Sequence, residues 1–298
     1  MRLLIQTITC LGLALISASC QSPPKAAWEL PDGIATVPVN GYPMAYQAKG
    51  AGPTVVMVHG VMCDYRCWKG QVEGLGPNYR VVAVSLRHFY PEKWDGRGSS
   101  FSLMQHAKDV AAFIERIGEP VYLMGQSYGA HVAYETARAR PDLVRKLVLA
   151  EAPTDSLVAA ADASANAIRQ QRAEETEKRL RAGDLDGGLQ FAVDAINGPG
   201  AWGRLPGFAQ ALVRDNAWTV VAIGKDDPPR VRCDQLASLS MPVLLVAGEN
   251  TTPRFKQLVQ AQSKCLPQAR LATIPKAGHG SPYQNPSDFN RVVREFLQ

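Results

Sequence analysis

Ser127 has the sequence surroundings of a nucleophile. It lies in Gly125–Gly129 (GQSYG), between an apolar run that ends at Met124 and a stretch with helical periodicity. Glycines two residues before and two residues after the serine permit a turn too tight for larger side chains, and the strained turn presents the hydroxyl to solvent. The following helix directs its N-terminus at the same point, where its partial positive charge would stabilise an oxyanion. The pattern therefore predicts a catalytic serine.

His279 is the predicted general base for this serine. A serine hydroxyl is a weak nucleophile at neutral pH until a neighbouring group accepts its proton. His279 follows the last predicted strand and stands between Gly278 and Gly280, which free the loop to carry the imidazole over the edge of the sheet. The other histidines are assigned to packing, to a turn or to the border of a pocket: His59, His88, His106 and His131.

A second turn is expected to bind the substrate oxygen. His59 and Gly60 close a predicted strand, and a sharp bend there would direct the backbone N–H of Val61 at the substrate. Together with the backbone N–H of Tyr128, the Val61 N–H would form an oxyanion hole. Donors of this kind contribute roughly 3 kcal/mol each to transition-state stabilisation.

Alternating strands and helices must position these residues. Asn40-Gly41 is a strong hairpin signal, and the near-continuous apolar runs that follow are typical of parallel strands covered on both faces. The predicted strands are Ile34–Val39, Tyr42–Gln47, Thr54–Val58, Arg80–Leu86, Val121–Met124, Lys146–Ala150, Val243–Ala247 and Arg270–Ile274. The predicted helices between them are Leu103–Ile117, Tyr128–Ala139, Pro253–Lys264 and Pro286–Leu297. The expected fold is α/β, a mostly parallel sheet flanked by helices.

One interval interrupts this alternation. Between Ala150 and Val243 no strand is predicted, and the sequence is rich in alanine and charge with helical periodicity. Gln170–Arg181 is the clearest helix, and residues 184–188 are interpreted as a turn. We predict that residues 153–232, called the cap segment below, form a helical cap inserted into a core of residues 31–152 and 233–298.

Composition narrows the function classes. With 298 residues, 46% of them hydrophobic and 20% charged, the chain is typical of globular proteins. A formal net charge of +5 without a dense Lys/Arg patch argues against nucleic acid as a partner. Six cysteines without paired CxxC motifs do not indicate structural zinc, and we expect neither a metal nor a cofactor.

Residues 1–19 have the features of a signal peptide. Arg2 precedes an apolar stretch from Leu3 to Ile16, and small residues precede Cys20, whose context resembles a bacterial lipobox. We expect an exported lipoprotein with lipid on Cys20 and a tether over residues 20–30, plain secretion being the alternative. The oligomeric state stays open.

Export would favour disulfide bonds among the four cysteines that remain. We expect Cys63 to pair with Cys67 and Cys233 with Cys265, although the sequence alone does not determine the connectivity.

The motifs together resemble one enzyme family. The order His59-Gly60, Gly125–Gly129 and Gly278-His279, with strands between them, resembles the α/β-hydrolases over essentially all of the chain after residue 30. Within that family the chain is similar to the capped group of esterases, C–C bond hydrolases, epoxide hydrolases and dehalogenases. The last two use an aspartate nucleophile, so the serine of this chain argues against both activities.

The acid of the expected triad is contested. The resemblance places it three residues after the glycine that follows the strand Val243–Ala247, but this position holds Thr251. Glu151 directly follows the strand Lys146–Ala150, where some haloalkane dehalogenases place their acid, and we favour it. Glu249 is the alternative acid, nearer the usual place.

The resemblance and the residues lead to one expected function and two alternatives. We expect an exported serine hydrolase that cleaves a small-molecule carboxylic ester through an acyl-enzyme on Ser127. A lactone or C–C bond hydrolase with the same triad is the first alternative. A binding protein on a catalytically retired hydrolase fold is the second.

Overall fold

A computed structural model describes residues 28–98 and 100–298. Within these residues, eight strands form one sheet in the order β1-β2-β4-β3-β5-β6-β7-β8. Strand β2 is antiparallel to both of its neighbours, β1 and β4, and the remaining neighbouring pairs are parallel. The strands are β1 Ala35–Val39, β2 Tyr42–Lys49, β3 Thr54–Val58, β4 Arg80–Val84, β5 Val121–Gln126, β6 Val144–Ala150, β7 Val243–Gly248 and β8 Arg270–Ile274. The predicted fold class, a mostly parallel sheet with helices on both faces, is confirmed.

The helices alternate with the strands as predicted. They are α1 Lys69–Leu75, α2 Leu103–Ile117, α3 Tyr128–Ala139, α4 Ala159–Arg181, α5 Leu185–Asn197, α6 Ala201–Arg204, α7 Gly207–Asp215, α8 Ala217–Lys225, α9 Cys233–Ala237, α10 Pro253–Cys265, α11 Ser281–Gln284 and α12 Pro286–Leu297. Local signals fix several ends: the Ser102 hydroxyl caps α2 by accepting from the Gln105 N–H, and Gly118, with φ of 85°, ends it. Every residue of β3 is buried, as expected for a central parallel strand.

The cap segment contributes α4 to α8 between β6 and β7. These helices bury a small apolar cluster that includes Leu189, Trp202 and Val220 together with Met62 from the loop after β3. The predicted turn at residues 184–188 is wrong. The Asp184 carboxylate accepts from the Gly187 N–H and starts α5, and the absence of a side chain on Gly188 lets α5 approach α4 closely.

Two disulfides connect the predicted cysteine pairs. Cys63 is bonded to Cys67, and Cys233 is bonded to Cys265 with Cα atoms 5.0 Å apart, which joins α9 to α10. Among the described helices, none is long and apolar enough to cross a membrane.

The predicted signal peptide 1–19 and Cys20 lie outside the described residues. Of the predicted tether 20–30, the residues before 28 also lie outside them. Trp28 packs against Tyr42 of β2, with ring centroids 5.6 Å apart.

Candidate active site

Ser127 stands in the bend between β5 and α3. Its backbone has φ of 53° and ψ of −123°, a strained conformation for a residue with a side chain, and its N–H donates to the Ala150 carbonyl at 2.8 Å. A Cβ on Gly125 would collide with the Gly129 backbone, and a Cβ on Gly129 would collide with the Val58 and His59 carbonyls. The two glycines of the motif are therefore required by close backbone contacts on both sides of the serine.

His279 lies within hydrogen-bond distance of the Ser127 hydroxyl. Its Nε2 is 2.9 Å from Ser127 Oγ, and its Nδ1 is 2.5 Å from Oε2 of Glu151. With the Nδ1 proton donated to the carboxylate, Nε2 is free to accept from the serine hydroxyl. All three side chains are buried, and the Phe255 ring stacks on the imidazole with centroids 3.7 Å apart. The structure thus brings Ser127, His279 and Glu151 into one hydrogen-bonded chain.

Two further donors orient the Glu151 carboxylate. Its Oε1 accepts from the Gly248 N–H at 2.8 Å, and its Oε2 accepts from the Thr251 hydroxyl at 2.8 Å. Glu151 follows the last residue of β6 and has φ of 50°, so the chain turns sharply at this position. Each oxygen of this buried carboxylate is hydrogen-bonded, as a buried charge requires.

Glu249, the alternative acid, does not reach the imidazole. Its side chain is exposed, and its Oε2 accepts from the backbone N–H of Lys276 at 2.7 Å. Strand β7 ends at Gly248, and the next side chain turns away from the site toward the loop that follows β8. The structure therefore holds Glu249 in a loop contact, away from the hydrogen-bonded chain of Ser127, His279 and Glu151.

The predicted oxyanion turn lies beside the serine. A Cβ on Gly60 would be 3.3 Å from Ser127 Cβ, so the segment that leads into Val61 passes next to Ser127. The ring of His59 holds this turn: Nδ1 donates to the Gly60 carbonyl at 2.8 Å, and Nε2 accepts from the Leu86 N–H at 3.1 Å. Burial lowers the pKa of His59 to about 4, so the ring is neutral and structural.

Tyr128, the other predicted donor residue, is fixed by its side chain. Its hydroxyl donates to His106 Nδ1 at 2.8 Å, and His106 Nε2 donates to the Arg87 carbonyl at 3.1 Å. Burial lowers the pKa of His106 to about 3. This neutral histidine anchors the first residue of α3, whose backbone N–H stands next to the nucleophile.

Three residues with roles at the site were not predicted from the sequence. Gln126 donates from Nε2 to the His279 carbonyl at 3.0 Å and ties the histidine loop to the end of β5. Thr251 orients the acid and Phe255 packs on the imidazole. A polar residue directly before the serine was a visible signal for Gln126, whereas the contacts of Thr251 and Phe255 join distant parts of the chain.

The remaining predictions concern metals and the other histidines. No cluster of three or more potential metal ligands occurs in the described part of the chain. His88 stacks on Trp94 with ring centroids 4.7 Å apart, and its Nδ1 lies 3.1 Å from Glu92 Oε1, away from the triad. His131 is buried in α3.

Comparison with known proteins gives one family and several relatives. The family model described as "Alpha/beta hydrolase family" matches residues 55–292. A putative 2-succinyl-6-hydroxy-2,4-cyclohexadiene-1-carboxylate synthase of Bacillus subtilis is 25% identical over 275 residues, which cover 86% of this chain and 94% of the relative. A pimeloyl-[acyl-carrier protein] methyl ester esterase of Aeromonas hydrophila is 27% identical over 256 residues, covering 83% and 96%.

Solved structures give the same architecture. A thermophilic esterase from Thermogutta terrifontis superposes with a TM-score of 0.72 at 23% identity, over 89% of this chain and 96% of that one. At this identity the likeness concerns the fold.

Proposed function

The chain belongs to the alpha/beta hydrolase family, and we propose that it is a serine hydrolase that cleaves a carboxylic ester through an acyl-enzyme on Ser127. The observation that carries the proposal is the continuous hydrogen-bonded chain from Ser127 through His279 to Glu151, buried at the carboxyl ends of β5 and β6. A serine, a histidine and an acid in this order form the arrangement that activates a hydroxyl nucleophile.

Acylation begins at the Ser127 hydroxyl. His279 Nε2 accepts the proton as Oγ attacks the ester carbonyl, and Glu151 stabilises the imidazolium that forms. The negative charge on the tetrahedral intermediate is stabilised by the backbone N–H groups of Val61 and Tyr128. When the intermediate collapses, His279 gives its proton to the leaving alcohol, and the acyl group stays on Ser127.

Deacylation uses the same groups in the reverse sense. A water molecule loses its proton to His279 Nε2 and attacks the acyl carbonyl, and the second tetrahedral intermediate again places its charge in the oxyanion hole. Collapse breaks the bond to Ser127 Oγ, which takes back a proton from His279. The products are the carboxylic acid and the free enzyme.

The relatives support ester chemistry. The Aeromonas relative is named as a methyl ester esterase and the Thermogutta structure as an esterase. The Bacillus relative is named as a synthase of a cyclohexadiene carboxylate, so related chains are not restricted to one reaction. Ser127, in place of an aspartate, argues against epoxide and haloalkane hydrolysis.

The direct test uses an active-site probe. A fluorophosphonate should label the wild-type protein on Ser127, and Ser127→Ala should abolish labelling with the fold retained. Absence of labelling in the wild type would instead support the binding-protein alternative. A panel of p-nitrophenyl esters, lactones and β-diketones then separates the reactions. Faster turnover of lactones or diketones than of any ester would replace the ester proposal by the corresponding alternative.

We also propose that the protein is exported and carries lipid on Cys20. Support comes from the two disulfides, since stable disulfides are typical of oxidising compartments. Mass spectrometry of the membrane fraction should detect an N-terminal diacylglyceryl cysteine at residue 20. A mature protein in the soluble fraction with an unmodified N-terminus would favour plain secretion.

A further inference from the structure

The face of α4 turned toward the core carries two arginines with unmet hydrogen-bonding groups. The Nε atoms of Arg169 and Arg172 are buried, and neither has a hydrogen-bond partner among the described residues. Arg169 uses Nη2 to donate to Asn166 at 3.0 Å on its own helix. Burial, with the neighbouring cations Arg254 and Arg169, lowers the pKa of Arg172 to about 10, so the group stays charged at neutral pH. Two half-buried cations thus lie close together.

A third arginine connects this pair to the catalytic centre. Arg254 lies in the first turn of α10, with its guanidinium carbon 4.8 Å from the centroid of the Phe255 ring. Phe255 stacks on the His279 imidazole with centroids 3.7 Å apart. Arg254 is therefore one aromatic ring away from the general base. Helices α4 and α10 both pack against the short 3₁₀ turn Asp155–Leu157, and the charges of Arg254 and Asp155 both act on Arg172.

The nearby carboxylates do not balance the charges of Arg169 and Arg172. Asp155 is fully engaged by Arg254, with Nε to Oδ1 at 2.8 Å and Nη2 to Oδ2 at 2.5 Å. Asp226 accepts from the Leu103 N–H at 2.8 Å, and burial raises its pKa, which works against a full negative charge opposite Arg169. In the described part of the chain, Arg172 therefore has no carboxylate of its own.

A half-buried charge without a partner among the described residues is costly, and a counter-ion supplied by a ligand would stabilise it. Guanidinium groups match carboxylate and phosphate oxygens with two parallel hydrogen bonds. We propose that Arg169 and Arg172, next to the Arg254–Asp155 ion pair, form an anion subsite at the base of the cap segment, which binds a carboxylate or phosphate group of the ester substrate. The inference rests on the proposed ester hydrolysis and specifies its substrate class: an ester with an anionic group a few bonds from the scissile carbonyl.

Two matched substrates test the subsite. Mono-p-nitrophenyl glutarate and p-nitrophenyl pentanoate have acyl chains of the same carbon number and differ by one carboxylate. We expect kcat/KM to be higher for the glutarate by about tenfold or more, the size of one charge-assisted hydrogen bond. Arg172→Gln should bring this ratio close to one. Arg179→Gln removes an arginine from the same helix that pairs with Glu175 at 2.7 Å on its outer side, and it should leave the ratio unchanged.

Binding without turnover separates the subsite from the proposed reaction. In the Ser127→Ala background, glutarate and inorganic phosphate are titrated by calorimetry, and Arg172→Gln should abolish heat from the anion that fits. Binding of glutarate would identify the anionic group of the substrate as a carboxylate, and binding of phosphate would identify it as a phosphate. The melting temperature of Arg172→Gln should equal or exceed that of the wild type, since an unpaired cation is removed.

The outcomes distinguish failure of the subsite from failure of the proposed reaction. If no ester is hydrolysed but anion binding depends on Arg172, the proposed reaction is wrong and the subsite stands. If esters are hydrolysed without preference for the glutarate, or if Arg172→Gln and Arg179→Gln change the ratio equally, the subsite is wrong and the reaction stands.

Discussion

Thr251 donates its hydroxyl to the same Glu151 oxygen that faces His279. In the hydrolases that the chain resembles, position 251 corresponds to the usual place of the acid, and here a threonine orients an acid supplied by the neighbouring strand. The Gly248 N–H holds the other carboxylate oxygen, so the carboxylate plane is fixed on both sides. In the proposed mechanism, an acid held in this way positions the imidazole before substrate arrives.

We expect Thr251→Val to lower kcat while leaving KM for an ester nearly unchanged. The substitution preserves the shape of the side chain and removes one buried hydrogen bond to a charged group, worth about 1.5–3 kcal/mol, or roughly tenfold to a hundredfold in rate. Steady-state kinetics measure the effect, and Thr251→Ser, which keeps the hydroxyl, should restore most of the rate. A rise in KM with unchanged kcat would contradict a positioning role.

Glu151 and Glu249 are the two candidates for the acid of the proposed triad, and an amide substitution at each position compares them directly. Glu151→Gln removes the charge beside the imidazole and replaces one acceptor oxygen by an NH₂ donor. The kcat should therefore fall by about 10⁴-fold, as in other triads. Glu249→Gln changes an exposed side chain bound to the Lys276 N–H and should change kcat by less than about twofold. The opposite pattern of losses would assign the role of acid to Glu249.

Strand ends gather the site from distant parts of the sequence. Because β3, β5, β6 and β7 are parallel, their carboxyl ends meet at one edge and bring together the Gly60 turn, Ser127, Glu151 and Gly248. Buried parallel strands appear as continuous apolar runs, which is why the sequence predicts them within about two residues of their observed ends. The exception is the turn predicted at residues 184–188, where Asp184 caps α5 and Gly188 packs against α4.

At the site, too, the sequence predicts local features but not the contacts between distant residues. The elbow motif, the glycine-flanked histidine and the carboxylate after β6 are local signals, and the structure brings these residues together. The hydrogen bond from Gln126 to the His279 carbonyl and that from Thr251 to Glu151 join residues 153 and 100 positions apart. Such contacts depend on the relative placement of loops, which hydrophobic periodicity does not encode.

The elbow between β5 and α3 leaves no space for a side chain at Gly129. Gly129→Ala would place a Cβ against the Val58 and His59 carbonyls, which belong to the central strand β3 and the oxyanion turn and have no room to move. We expect a loss of about 1–3 kcal/mol in the free energy of unfolding, measured in urea, together with a large loss of esterase activity.

Gly203→Ala is the matched control. Gly203 lies in helix α6, and a Cβ added at this position would meet no atom of a neighbouring element within 4 Å. The substitution should leave stability equal or slightly higher, since alanine favours helix. Equal behaviour of the two variants would show that the elbow tolerates a side chain at Gly129.

Net charge at the scale of the whole molecule does not reveal how the charges are arranged. A formal net charge of +5 over 298 residues argued only against nucleic acid as a partner. Arg169 and Arg172 of α4 contribute to this total in the same way as Arg140, which pairs with Asp142 and Glu115 at the surface. Their different environment is a consequence of folding, so composition alone gave no indication of an anion subsite.

Three buried histidines make the whole fold sensitive to acid. Burial lowers the pKa of His59 to about 4, that of His106 to about 3 and that of His131 to about 4. In the unfolded chain each of these rings titrates near its ordinary pKa of about 6.5. Between pH 6.5 and 4 the unfolded state therefore binds up to three more protons than the folded state, and the free energy of unfolding falls as the pH falls.

We expect the melting temperature to decrease steadily from pH 7 to pH 5, with the decline beginning near pH 6.5, above the range in which carboxylates alone would act. Each histidine contributes up to about 1.4 kcal/mol per pH unit within its window. His131→Leu should reduce the slope by about one third, because the Nε2 of His131 has no hydrogen-bond partner among the described residues and only the ionisation is lost. Melting curves of the wild type and the variant across this range measure the difference. Parallel pH profiles would mean that His131 is protonated in the folded state, and the acid sensitivity would then have to come from His59, His106 and the carboxylates.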